Sequence, residues 1–319
     1  MYFDGHSDLI YDATRWRLAG ETHVLERRHL HHLRGGDVEG MVLSLWSNAT
    51  EDTFWRTDPR GADPVWRREQ MLCALEAELR ESPWLKLVRT AAEAEAARRE
   101  GKIYAFFGIE GMESIGTDLD QIDHYADLGA RMAMLTWNEE NLLAAGAKAD
   151  PQQGLTALGR AAVKRMQRRG IILDVSHLND AGFWDSIRMA QGAVIASHSN
   201  CRSLCDVRRN LTDEQLRAIR DTGGTVGLNV HHAFVHEEPA KQTAYMLACH
   251  AAHMAEVMGP EHVACGFDFC EYMGPGNEGV DGMENCSQIQ NLFFELERVG
   301  FSAKEREGIA KENLLRILR

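Results

Sequence analysis

No stretch of this chain comes near the about 18 consecutive apolar residues that a membrane-crossing helix requires, so no spanning segment is expected. The opening MYFDGHSDLI has neither a basic cluster nor a long apolar core, so no secretory leader is expected, and the expected location is cytoplasmic. Positive charge is in deficit: 35 Lys and Arg stand against 48 Asp and Glu, and a formal charge of −13 disfavours a nucleic-acid groove. The densest basic string, RRHLHHLR at residues 27–34, reads as a solvated face. Cysteine spacing of the CxxC type is absent, and seven scattered cysteines fit buried or surface thiols in a reducing compartment. Proline is sparse too, at seven residues, and 44% hydrophobic with 26% charged residues describes an ordinary globular protein rather than a disordered one.

What the chain does have is a strand-then-histidine unit, twice, within residues 171–200. The runs 171–176 (IILDVS) and 193–197 (AVIAS) are short and apolar, as strands covered on both faces are, and they end at His177 and His198. Between them Asn179 can cap a helix carrying Phe183, Ile187 and Ala190 on one face, which makes a strand–helix–parallel strand unit. Neighbouring parallel strands lie about 4.8 Å apart, so two imidazoles at their carboxyl ends can converge on one cation. Taken alone, the pair fits better with polar residues that finish two strands for ordinary reasons.

The same pattern recurs along the chain. Residues 2–8 form a strand ending in His6, Ser7 and Asp8; residues 41–47 (MVLSLWS) form a second; residues 102–109 form a third that delivers Glu110. Residues 131–136 end at Trp137 and Asn138, residues 225–230 (TVGLNV) contain Asn229, and residues 262–267 (HVACGF) end at Asp268. A short additional strand is expected at 85–89. Helices are expected from Asp63-Pro64, from the Thr212-Asp213-Glu214-Gln215 capping box, over 245–258, over 287–299 and over 303–318. Eight strand-like runs alternating with helical segments, with no linker, predict an α/β fold: one (β/α)8 TIM barrel domain over residues 1–319. Such barrels carry their chemistry at the carboxyl ends of the strands. His6, Asp8, Glu110, Trp137, His177, His198, Asn229 and Asp268 all fall there, which makes metal binding the leading reading, with Asn229 and Trp137 expected to face substrate.

Histidine and carboxylate ligands without thiolates suit zinc or another divalent first-row ion. Three histidines and two carboxylates exceed one tetrahedral shell and suit two ions bridged by Glu110, with positions left open for substrate. Two such ions about 3.5 to 4 Å apart would lower the pKa of a bridging water and polarise a carbonyl, so the expected reaction is hydrolysis.

These residues also carry a resemblance. DGHSDLI, GIEGMESIG, LDVSH, VIASHSNCRSLCDVRRNLTDEQL, GFDFC and ENLLRIL resemble, end to end, the motifs of the membrane (renal) dipeptidase family of zinc peptidases, a branch of the amidohydrolase-like barrels. The resemblance implies one metal on His6, Asp8 and Glu110 and a second on Glu110, His177 and His198. It further implies Arg209 as partner of a substrate carboxylate, Asp268 as the catalytic acidic residue handling the substrate amine or departing nitrogen, and tolerance of a D residue at the carboxyl terminus. A metal-bridging hydroxide would attack the scissile carbonyl. The partner would be a small peptide; a homodimer is compatible with the sequence. Three departures bear on substrate preference: Trp137 stands where renal members have a histidine near the oxyanion, the usual Asp-Phe-Asp reads Asp268-Phe269-Cys270, and a carboxylate-binding tyrosine after the seventh strand is replaced near Phe234.

Competing readings stay open at this point. The chain could be a barrel that keeps its metals but no longer turns over and serves as a binding protein, or a related hydrolase of lactones or cyclic amides with no need for Arg209. His29, His31, His32, His124, His250, His253 and His262 read as mostly solvated, whereas His231 and His232 follow the seventh strand and are expected near the pocket.

Overall fold

A computed structural model describes residues 1–48 and 54–318. Its parallel strands are β1 Tyr2–Ser7, β2 Val38–Trp46, β3 Leu85–Leu87, β4 Ile103–Glu110, β5 Ala130–Met134, β6 Ile172–Asp174, β7 Val226–Leu228 and β8 Val263–Cys265. Every residue of β2 is buried, as are all but the first of β4, which is why these strands read as continuous apolar runs. β1, β2, β4, β5 and β6 pair in that order, and β3 pairs with the amino-terminal part of β4 as the expected extra strand. The register sets Trp46 opposite Glu110, so the glutamate stands at the carboxyl end of β4.

The expected closed barrel takes a looser form. The hydrogen-bonded sheet comes in a six-stranded piece and a two-stranded piece, β7 with β8. Residues 193–197 are not a regular strand; they join the pieces through single parallel bridges, Asp174 to Ile195 and Ala196 to Val226. No ladder links β8 to β1 among the described residues, where one backbone bond, Asp268 N–H to His6 O at 3.3 Å, crosses the seam. The sheet nevertheless curls, because Phe3, Val42, Phe106, Met132, Ile195 and Ala264, from six different runs, belong to a single buried cluster plugged by Leu314 and Leu318. The larger core lies between the other face of the sheet and the helices.

The helices follow their local signals. Asp63 caps Pro64–Glu81, Asn179 caps Asp180–Met189 by accepting from Gly182 N–H, and Thr212 with Gln215 closes a full capping box on Asp213–Asp221. Three corrections stand beside these. The basic string at 27–34 is not simply solvated: it spans a π-turn and the helix Leu30–Gly35, Leu30 and Leu33 are buried, and His29 is buried with Nε2 2.9 Å from Asp12 Oδ2. His250 is fully buried as well. The expected helix 303–318 is broken by a π-turn at Gly308–Glu312, where the Asn313 side chain donates to the carbonyls of Pro260 and Val263 and draws the backbone off its regular course. No helix of the described residues is long and apolar enough to cross a membrane.

Candidate metal centre and substrate clamp

Four strand ends bring the expected ligands together. His6 and Asp8 come from the end of β1, Glu110 from β4, His177 from the loop after β6, and His198 from the end of the 193–197 run; all five are buried. His6 Nε2 lies 3.6 Å from Asp8 Oδ1, 3.2 Å from Glu110 Oε2 and 4.0 Å from Asp268 Oδ1. The other Glu110 oxygen, Oε1, lies 2.8 Å from His177 Nε2 and 3.5 Å from His198 Nε2, and the two imidazole nitrogens are 2.7 Å apart. One glutamate therefore faces two groups with one oxygen each.

The remaining nitrogens of the three rings are tied to neutral partners. His6 Nδ1 lies 3.2 Å from Ser44 Oγ, His177 Nδ1 is 3.0 Å from Asn138 Oδ1, and His198 Nδ1 is 2.7 Å from Ser197 Oγ. A proton on Nδ1 donated to these oxygens leaves each Nε2 lone pair aimed into the cluster, the arrangement that orients metal-binding histidines. The signal for Asn138 was present in the sequence, since it ends the fourth run; Ser44 lies inside β2 and carried none.

Whether these residues fit divalent ions can be judged from the donors themselves. His6 Nε2, Asp8 Oδ1 and Glu110 Oε2 are buried without hydrogen-bond partners, three lone-pair donors converging where water is excluded. Ligand atoms on one tetrahedral ion lie about 3.4 Å apart, given bonds near 2.1 Å. The separations of His6 from Asp8 and from Glu110, 3.6 and 3.2 Å, have that size already, and the tighter Glu110, His177 and His198 triangle has to open by a fraction of an ångström. The groups His6, Glu110, His198 and His6, Asp8, Asp268 each offer atoms within 4.8 Å of one another. Charge points the same way. Burial and the Asp8 carboxylate push Glu110 up to about 8, a cost that a cation would remove. Burial opposes charging of His6, yet the Glu110 and Asp8 carboxylates hold it well above the usual imidazole value. Burial, with Arg209 and His6 nearby, holds His177 and His198 far below it, neutral as ligands must be.

Beside this cluster lies a guanidinium. Arg209 is 8% exposed; its Nη2 donates to His198 O and to His177 Nε2, both at 3.2 Å, and Nη1 lies 3.5 Å from Ser199 Oγ. Its Nε–H is buried without a partner, and no ion pair to a described carboxylate is formed. The ring of Phe234 lies 5.4 Å from the guanidinium carbon, and His231 packs on that ring at 4.7 Å. Arg208 is exposed, whereas Arg202 braces the same loop through a two-pronged contact with Asp180.

Asp268 and His177 both adopt left-handed backbone, at φ 58 and φ 71, a conformation that costs a non-glycine residue about 1 to 3 kcal/mol and collects at functional sites. Burial lifts Asp268 to about 6. Asn229, expected to face substrate, places its Nδ2 3.1 Å from Asp268 Oδ2 and accepts His231 N–H on Oδ1, so its amide orients Asp268. Cys270 Sγ lies 3.5 Å from the other oxygen, Oδ1. Trp137 is half-buried, with its ring 5.9 Å from His177 and 5.3 Å from Trp46, a wall of the site.

Buried histidines and carboxylates without thiolates, gathered at the carboxyl ends of parallel strands beside an unpaired arginine, define a metal-dependent hydrolase. The family follows from the whole chain. Residues 1–319 match the membrane dipeptidase family, peptidase family M19, and the chain belongs to that family of metallo-dipeptidases. An uncharacterized dipeptidase of Schizosaccharomyces pombe is 32% identical over 241 residues, covering 73% of this chain and 57% of that protein. Among solved structures, the dipeptidase AC, a metallo peptidase of family M19, superposes with a TM-score of 0.86 at 26% identity over 99% of this chain and 97% of that one. A Rhodobacter sphaeroides metallo peptidase liganded with a phosphinate mimic of L-Ala-D-Ala superposes with a TM-score of 0.87 at 25% identity, over 99% and 98%.

Proposed function

We propose that this chain is a two-metal dipeptidase, with zinc as the favoured ion, that hydrolyses dipeptides bearing a free carboxyl terminus and accepts a D residue there. The whole chain, residues 1–319, would act as one domain built on a (β/α)8 barrel, in the cytoplasm, where seven free thiols stay reduced. The observation that carries the substrate is Arg209: a desolvated guanidinium with an unused Nε–H and no carboxylate among the described residues is a ready partner for a substrate carboxylate. The likeness to a structure holding a mimic of L-Ala-D-Ala supports tolerance of a D residue.

His6, Asp8 and Glu110 would hold one ion, and Glu110, His177 and His198 the other. When bound, the ions would polarise the scissile carbonyl and acidify the attacking water. The chain's own residues do the remaining work. Glu110 fixes the separation of the two ligand groups through its two oxygens. Asp268, aimed by Asn229 and Cys270, meets the substrate ammonium or passes a proton to the departing nitrogen. Arg209 fixes the far end, and Trp137 closes one side and offers its indole N–H.

The test is a panel run on protein of measured metal content: dipeptides with L and D carboxyl-terminal residues, their carboxyl-amidated forms, tripeptides, lactones and cyclic amides. Free dipeptides should turn over best. Turnover of lactones or cyclic amides in their place would favour the other hydrolase reading, and tight dipeptide binding without turnover would favour a binding protein.

A further inference from the structure

Parallel strands share hydrogen bonds along a ladder, and where the ladder stops the backbone N–H groups need other acceptors. In this sheet it is interrupted between β8 and β1, between β6 and the 193–197 run, and between that run and β7, and the first two of these seams lie directly beneath ligands. The same device fills both. Asp4 is 6% exposed, and its Oδ1 accepts from His6 N–H at 3.2 Å within its own strand and from Phe267 N–H at 2.8 Å across the seam. Asp174 is fully buried, and its Oδ1 accepts from Ser176 N–H at 3.0 Å within its own segment and from Ser197 N–H at 3.1 Å across the seam. In each case the residue held across the seam immediately precedes a site residue, Asp268 or His198. In each case the residue held on the near side is, or immediately precedes, a ligand: His6 itself, or Ser176 before His177.

We propose that Asp4 and Asp174 are a matched pair of positioning residues. Each clamps one seam with a single carboxylate oxygen, so that the donor atoms on either side keep the spacing a divalent ion needs. Asp4 sets His6 against Asp268, and Asp174 sets His177 against His198. Both carboxylates act on the cluster through backbone N–H groups and not through its donor atoms. An apolar residue at either place would leave two buried N–H groups without an acceptor and let the seam widen. The inference rests on the metal-dependent reading above.

Four variants in two pairs test it: Asp4→Asn and Asp174→Asn, which keep an acceptor oxygen, and Asp4→Ala and Asp174→Ala, which remove it. Cobalt(II) is titrated into metal-free protein, with affinity and the visible spectrum as readouts and thermal unfolding as the check on fold. The Asn variants should stay close to wild type, and the Ala variants should lose about 10- to 100-fold in affinity with an altered spectrum, the scale of lost outer-layer support at metal sites. If an Ala variant does not fold, the Ser variant at that position, whose shorter side chain cannot reach both N–H groups, takes its place with the same expectation. Folded Ala or Ser variants with wild-type affinity and spectrum would overturn the proposal, as would Asn variants that lose metal while folded. If wild-type protein takes up a single ion, the two-ion reading fails, yet the comparison among variants is still read on that ion. If wild type takes up none, the metal-dependent reading itself is what has failed.

Discussion

Arg209 Nη2 lies 3.2 Å from His177 Nε2, which puts the proposed substrate clamp in contact with a proposed metal ligand. One substrate carboxylate on the guanidinium would then place the scissile bond of a dipeptide, and of nothing much longer, over the ion cluster. Arg209→Ala should therefore lower kcat/KM for dipeptides by about 2 to 4 kcal/mol of transition-state stabilisation, the scale of a desolvated charge pair losing one partner. Amidating the dipeptide carboxylate should cost wild type a similar amount and the variant little more. Equal turnover of free and amidated dipeptides by wild type would exclude the clamp.

Glu110 should be the residue whose loss disturbs the whole metal centre. Its two oxygens lie 3.2 Å from His6 Nε2 and 2.8 Å from His177 Nε2, so Glu110→Ala should weaken both sites together, from about two ions per chain to fewer than one at equal free metal. Metal analysis after equilibrium dialysis reads this directly. A variant that keeps one site at full affinity would show that Glu110 does not bridge. Chelation should likewise abolish activity in wild type, and zinc, cobalt or manganese should restore it; full activity in metal-free protein would end the two-metal reading.

Much of this was legible in the sequence, for one physical reason. Parallel strands buried on both faces appear as short apolar runs, and the first polar residues after them fall at a single end of the sheet, so His6, Glu110, His198 and Asp268 could be collected before their geometry was known. The unread parts depend on which atom meets which. Asp4 and Asp174 are polar residues within strand-like runs, and only the placement of Phe267 and Ser197 shows what their oxygens accept. Leu30 and Leu33 were hidden in a string of His and Arg, where charge masked a helical spacing of buried residues. The 193–197 run reads as a strand by composition, yet it pairs through single bridges because the Ser197 N–H turns to Asp174.

His250 should make the fold acid-sensitive. It is fully buried, accepts Cys201 N–H on Nδ1 and donates from Nε2 to Val235 O, and burial holds it down at about 4 against 6.5 for a free imidazole. The unfolded chain thus binds the proton first as pH falls. The neutral ring's contribution is complete above about pH 6.5 and is lost between there and pH 4, on the order of 3 kcal/mol across the window. His250→Asn keeps an acceptor for Cys201 but does not titrate. Urea midpoints at several pH values from 7 to 4 should show the stability gap between wild type and variant shrinking with acid; a constant gap would mean that His250 does not titrate on unfolding in this range.

Backbones pack closely around Ser197. The Ser197 carbonyl, one residue before His198, is pinned between two glycines: a Cβ on Gly266 would lie 1.6 Å from Ser197 O, and one on Gly227 would lie 1.9 Å from the same atom. Neither glycine has positive φ, so the demand is for space rather than for an unusual backbone conformation. Gly5 belongs to the same contact, since a Cβ there would meet Cys265 O at 2.7 Å and the Gly266 Cα at 3.6 Å. Close approach of these runs is what curls the sheet where its ladder is interrupted. An added methyl group on Gly266 has only backbone to displace, and the backbone it displaces carries His198. Gly266→Ala should therefore destabilise the fold by about 3 kcal/mol or more, the upper end of overpacking costs, and should lower metal uptake along with stability. Gly192→Ala, where an added Cβ meets nothing within 4 Å, serves as the control and should change neither. Denaturant unfolding and metal content measured on both variants decide it: a Gly266→Ala protein that unfolds at the wild-type midpoint and binds metal normally would show that the seam is loose, and that crowding at Ser197 does not hold His198 in place.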